Sequence, residues 1–188
     1  MAAWVQALGA ILALVVAIGL ATKERSLRRM ESREKLRNSV RSLLESIVAI
    51  QRLAGCFYRK EIIKPKGSRD STNYSGIFES WNYVFKTIYL NQPVWIECGL
   101  IASLMQVSAV TEELIGISRS MGEGNGDEDF FLKEFYFSVK FLEGSKKKIK
   151  DFAVSDGLME SDTNLYPMPK ELEDAFENLR ECKGVIME

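Results

Sequence analysis

The chain has 188 residues, with 25 Lys plus Arg against 26 Asp plus Glu and no His. A composition of 46% hydrophobic and 27% charged residues fits a folded chain with a modest core and excludes disorder. Without His there is no Ser-His-Asp or Cys-His nucleophile and no His-containing zinc site, and a net charge of -1 argues against simple DNA coating.

Ala2 to Ala21 reads AAWVQALGAILALVVAIGLA and carries no charge. Twenty helical residues rise about 30 Å, the thickness of a hydrocarbon core, so residues 1–22 are expected to form a transmembrane helix. Gln6 is the one strongly polar side chain in it, and Trp4 lies near its outer end, where an indole favours the interface. Gly9, Ala13, Ala17 and Ala21 recur every four residues, a small-residue stripe that lets helices approach closely in lipid. Gln6, Gly9, Ala13 and Ala17 are therefore the candidate oligomer face, with a ring of Gln6 amides as the polar mouth of a narrow pore. Two rivals are a cleaved signal peptide and a buried core helix. The first lacks a basic leader and meets a basic cluster directly after the apolar run; the second is opposed by twenty uninterrupted uncharged residues.

Residues 23–54 read as a juxtamembrane amphipathic helix. Eight Lys and Arg between Lys23 and Arg41 stand against Glu24, Glu31 and Glu34, which by the positive-inside rule keeps the C-terminal side in the cytoplasm. Glu24 with Arg28 and Glu31 with Lys35 have the i,i+4 spacing of helical ion pairs. Further on, Leu36, Val40, Leu43, Ile47, Ile50 and Ala54 alternate steps of four and three, the spacing of a helix that packs on a partner. Gly55 is expected to loosen this helix.

Residues 55–188 read as a cytoplasmic α-helical domain with almost no period-two alternation. A loop is expected from Lys64 to Ser75, rich in Gly, Ser, Asp and Asn. A helix from Tyr74 to Leu90 comes next, with Ile77, Phe78, Trp81, Val84, Phe85 and Ile88 as its apolar stripe. Asn91-Gln92-Pro93 stops it, and a long central helix is expected from Val94 to Ser118, with Glu97 near its start. The same stretch read as a second span is opposed by Glu97, Gln106 and Thr111, then Glu112 and Glu113. Met121 to Asp129 reads as an acidic connection. Its Glu123, Asn125, Asp127, Asp129 and Glu134 echo a calcium loop, but Glu128 occupies the place of the turn glycine. The next helix runs from Phe130 to Phe152 with Phe131, Phe135, Val139 and Leu142 inward. Lys146, Lys147, Lys148 and Lys150 close it, either as cations at a helix C-terminus or as a site for a lipid phosphate, nucleotide or oligonucleotide. A less regular stretch spans Ser155 to Pro169, and a short acidic helix is expected from Lys170 to Cys182 with Leu172, Phe176 and Leu179 inward.

Cys56, Cys98 and Cys182 are far apart and form no CxxC pair, which suits free thiols in a reducing compartment. No P-loop, dinucleotide fingerprint, HExxH or GxSxG occurs, and adjacent carboxylates such as Glu112 and Glu113 point to different helix faces. The expectation is an all-α protein that is not an enzyme, holds no cofactor or metal, and works at a membrane.

Trp4-Val5-Gln6-Ala7 and the Gly/Ala stripe behind them give a layout that resembles small bacterial membrane effectors of anti-phage systems, the Hailong-type channel effectors among them. That resemblance covers about twenty residues and the architecture. It implies a homo-oligomeric channel in the bacterial inner membrane, single-pass, with the N-terminus outside and the helical domain cytoplasmic. It further implies gating by a nucleotide or single-stranded nucleic-acid ligand, or by a partner protein from the same operon. The alternative is a membrane-anchored adaptor whose helical domain binds a partner protein.

Overall fold

A computed structural model describes residues 2–62, 73–91, 95, 99–123, 128–160, 166–170, 172–174 and 177, without the side chains of residues 2–16, 18, 122, 128 and 129. Among the described residues the chain is all-α and contains no strand. The described elements are α1 (Ala2–Phe57), a π-helical turn directly after it (Tyr58–Ile62), α2 (Tyr74–Leu90), α3 (Ile101–Gly122) and α4 (Glu128–Ser155).

Two compact units divide the chain, Met1–Asn38 and Ser39–Glu188. The first contains only α1 residues. Its described side chains are almost all exposed, including Leu20, Leu27 and Met30. The expected i,i+4 pairs are present, Arg28 with Glu24 at 2.6 Å and Lys35 with Glu31 at 3.0 Å. Such exposed pairs support the local helix by only a few tenths of a kcal/mol.

In the second unit, Val40, Leu43, Ile47, Ile50 and Ala54 are all buried, as their alternating spacing predicts, and Leu44 widens the stripe. Gly55 does not end the helix, which runs to Phe57 and then widens into the π-helical turn. Two aromatic residues just beyond the glycine account for this. Phe57 packs on Tyr74, Phe78 and Phe135 with ring centroids 5.3, 6.2 and 6.3 Å away, and Tyr58 stacks on Phe135 at 5.4 Å. Burying two large rings outweighs the roughly 1 kcal/mol helix penalty of one glycine.

Cross-helix pairs fix the directions. Tyr58 meets Phe135 while Lys146 meets Gln51, so α1 and α4 are antiparallel. Ser138 bonds Glu113 and Ser145 bonds Gln106, so α3 and α4 are antiparallel too. Glu79 pairs with Arg119 and Lys86 with Glu112, which sets α2 against α3 in the same sense. Packed on both α2 and α4, α3 is the central helix of this unit.

The first turn of α2 is capped by Asn73, whose Oδ1 accepts the Gly76 N–H at 3.0 Å. Its bounds match the sequence reading, but its buried face does not. The inward residues are Tyr74, Phe78, Asn82, Phe85 and Tyr89, while Ile77 and Val84 are exposed. The buried line includes a polar residue, so an apolar stripe drawn from hydrophobicity alone is rotated away from it.

The helix expected over residues 94–118 is broken near its start. Gly99 adopts φ 68°, a left-handed conformation, and the Leu100 N–H reaches back to the Trp95 carbonyl at 3.1 Å. That is the long bond of a Schellman end, and α3 begins only at Ile101 and continues to Gly122. Trp95 and Leu100 are both buried around this turn, while Glu97 lies outside the described residues.

Phe131, Phe135, Val139 and Leu142 are buried along α4, and Ile149 and Ala153 extend the line. The helix ends in a complete Schellman motif. Leu158 N–H bonds Ala153 O at 2.8 Å, Gly157 N–H bonds Val154 O at 3.0 Å, and Gly157 sits at φ 65°. Beyond it Leu172 is fully buried, and Phe176 and Leu179 lie outside the described residues.

Candidate functional site

The four candidate lysines do not share one face. α4 continues five residues past Lys150 to Ser155, and its last turn holds no basic residue. A C-terminal dipole partnership is thereby corrected, since that effect fades within the last turn. Lys146 is 3% exposed and points into the unit. Its Nζ lies 2.7 Å from Glu143 Oε2 and donates to Gln51 Oε1 at 3.1 Å. Gln51 Nε2 in turn donates to the same Glu143 oxygen at 2.7 Å. The three side chains close a ring of charge-assisted bonds that ties α1 to α4. Lys147 and Lys148 are exposed, and Lys150 is half-buried. The physical reason is helical geometry: residues one apart on a helix differ by about 100° in direction, so a run of lysines scatters around the cylinder.

On the outer side of α4, Lys147 and Lys148 instead join Lys133 and Lys140, which are also exposed. Phe130, Phe137 and Phe141 stand on the same side with 56%, 51% and 48% of their surface open. Composition gave no hint of this mixed face, because the aromatic positions follow the same helical period as the core ones.

Of the candidate oligomer face, Gln6, Gly9 and Ala13 have side chains outside the described residues, while Ala17 is exposed. Among the described residues no helix is long and apolar enough to cross a membrane. In the echoed calcium loop, Asn125 and Asp127 lie outside the described residues.

Between α2 and α3 the surface opens into a groove of about 410 Å³, bordered by Tyr83, Ile115 and Gly116 and by two ion pairs. Lys86 donates to Glu112 at 2.5 Å, and Arg119 pairs with Glu79. The Lys86 hydrogen bond, with its charge, holds the Glu112 carboxyl below its ordinary range against a smaller opposing effect of burial. At the floor, Ser108 donates to Asn82 at 3.0 Å, so this buried amide is anchored across the helix interface. A second groove of about 570 Å³ runs between Trp81 of α2 and Arg52 and Cys56 of α1, with Tyr166 over it. Cys56 is a free, exposed thiol. Burial pushes the Tyr166 phenol above its ordinary range; Glu45 adds to this and Arg41 opposes it. Trp81, read from sequence as core, is half-buried at this groove.

The first groove is lined mostly by polar and charged side chains, Glu79, Asn82, Lys86, Glu112 and Arg119 among them, whereas the second sets Glu45, Arg52, Cys56 and Tyr166 among the apolar Val48, Ala49, Leu53 and Trp81. Comparison with protein-family models, with curated proteins and with solved structures finds no match to this chain.

Proposed function

We propose that this chain is a homo-oligomeric, single-span effector of a bacterial inner membrane that permeabilises the membrane under control of its cytoplasmic helical unit. The observation that carries the reading is the run of twenty uncharged residues from Ala2 to Ala21, followed at once by a segment dense in Lys and Arg. Helical backbone from Ala2 onward supports it, and α1 supplies both the apolar segment and the first helix of the compact unit. In this reading Gly9, Ala13 and Ala17 bring neighbouring spans together, and Gln6 forms the polar outer mouth. Apolar side chains line the rest and gate it by dewetting. The helical unit biases the assembly between closed and conducting states by binding a nucleotide, an oligonucleotide or a partner protein more tightly in one of them.

Voltage-sensitive dye measurements on cells induced to express the full chain test this. Depolarisation that disappears with Gly9→Leu and Gln6→Leu is the expected result. No depolarisation, or equal depolarisation in both variants, refutes the pore. The groove between α2 and α3, with its paired charges, favours a second reading in which the span only tethers a protein-binding adaptor. Replacing residues 2–21 by a poly-Leu span discriminates: function retained in full supports the adaptor, and function lost supports the channel.

A further inference from the structure

We propose that the outward face of α4 docks on an anionic lipid surface. Phe130, Phe137, Phe141 and Lys148 lie close to one line along the helix, and Lys133, Lys140 and Lys147 form a parallel row beside it. At about 100° per residue these seven side chains fall within an arc of roughly 120°. All seven are exposed, and the opposite side of α4, from Phe131 through Phe135, Val139 and Leu142 to Ile149, is buried. Among the described residues Lys133, Lys140, Lys147 and Lys148 enter no ion pair. Among the described side chains the acidic groups on this side are Glu134, half-buried at its edge, and Asp151, exposed at its C-terminal end.

Three half-open phenyl rings on one helix are costly to leave in water, and their positions are not needed by the core. Phenyl rings carry no polar handle, so their fit is to an apolar layer. Lysines beside them keep ammonium groups at phosphate level while their stems cover apolar surface. Positive charge over about 20 Å of helix complements a negatively charged leaflet. A single-stranded nucleic acid would match the charge as well, but base stacking favours ring faces laid out on a flat platform. A helical stripe projects its rings radially, which suits insertion into a planar interface.

The inference rests on the membrane reading above for bringing this unit near lipid, and its test separates the two. Purified full-length chain is mixed with vesicles of phosphatidylcholine alone or of phosphatidylcholine with phosphatidylglycerol. Flotation reports whether the chain associates with bilayers at all. Acylation of individual lysines, read by mass spectrometry, reports the α4 face. An anionic surface concentrates each nearby lysine about fivefold, so Lys133, Lys140, Lys147 and Lys148 should react severalfold more slowly on the phosphatidylglycerol vesicles. High salt should reverse the protection, and so should Phe137→Ser with Phe141→Ser, two exposed positions whose change leaves helicity intact. A chain that floats with both vesicle types but shows equal lysine reactivity on each overturns the docking and leaves the anchor standing. A chain that floats with neither and shows no protection overturns both. Protection in detergent that requires an added oligonucleotide, or that grows with protein concentration alone, assigns the face to a nucleic acid or to a second copy and overturns the lipid assignment.

Discussion

Replacing Lys146 by Met separates a structural lysine from a ligand-binding one. The Lys146 side chain is 4% exposed and its ammonium is held by Glu143 at 2.7 Å and by Gln51 at 3.1 Å. Lys146→Met keeps the aliphatic volume but removes the donor to Gln51 Oε1, in a side chain with no solvent exposure. An acceptor orphaned in that setting costs about 1–3 kcal/mol. Glu143 is 36% exposed and can turn to water, so the loss stays below the roughly 3–5 kcal/mol of breaking a fully buried pair. About 2 kcal/mol in a unit of this size lowers Tm by roughly 4–8 °C. Gln51→Leu with Lys146→Met replaces both buried polar partners by apolar ones and should recover at least ~1 kcal/mol of the summed single-variant losses. Thermal unfolding of full-length chain in detergent, followed by circular dichroism, measures all three variants. Strict additivity of the singles, or no change for Lys146→Met, refutes the ring of bonds as a stabilising unit. By contrast, Lys147→Glu with Lys148→Glu should leave Tm within about 2 °C, because both side chains are exposed.

Three further outcomes are expected. Phe135→Ala removes a fully buried ring that packs on Phe57 and Tyr58, and should cost about 3–5 kcal/mol; a loss under about 1 kcal/mol by thermal unfolding refutes the aromatic cluster as the heart of the unit. Gly157→Ala places a Cβ at φ 65° and should cost about 1–2 kcal/mol, while Gly144→Ala, at an open helical position, should stabilise by up to ~1 kcal/mol; equal effects in the same assay refute the Schellman end. The Tyr166 phenol is raised in the folded state, so its contribution to stability is full below the unfolded phenol range and declines as pH rises through the higher folded value. Phenolate absorbance should show a late-titrating component that loses one phenol in Tyr166→Phe, and an unchanged late component after that substitution refutes the assignment.

Local pattern was a good guide where it coincided with packing. Of the first stripe, Val40, Leu43, Ile47, Ile50 and Ala54 are buried on one face while Leu36 at its start is only half-buried, and Phe131, Phe135, Val139 and Leu142 are all buried. The limits of α2 were legible because Asn73 is a good cap and Asn91-Gln92-Pro93 a good stop. Gly55 was misleading because its neighbours Phe57 and Tyr58 are held by partners on α2 and α4 that lie far along the chain. The same limit applies to the grooves. Asn82 and Ser108 are 26 residues apart and look like ordinary helix-surface residues until α2 and α3 pack together.

By itself, then, the sequence determined an all-α chain, the positions of its strongest helical faces, and an uncharged N-terminal segment succeeded by a cationic one. Those properties depend on residue spacing and charge within a few turns, which folding does not rearrange. Only the tertiary structure decided which member of a charge run is exposed. Lys146 faces Gln51 and Glu143 inside the unit, whereas Lys147 and Lys148 join Lys133, Lys140 and three phenylalanines outside it. That difference arises because burial is set by which helix lies against which, and α1, at the other end of the chain, supplies the partner that draws one lysine inward.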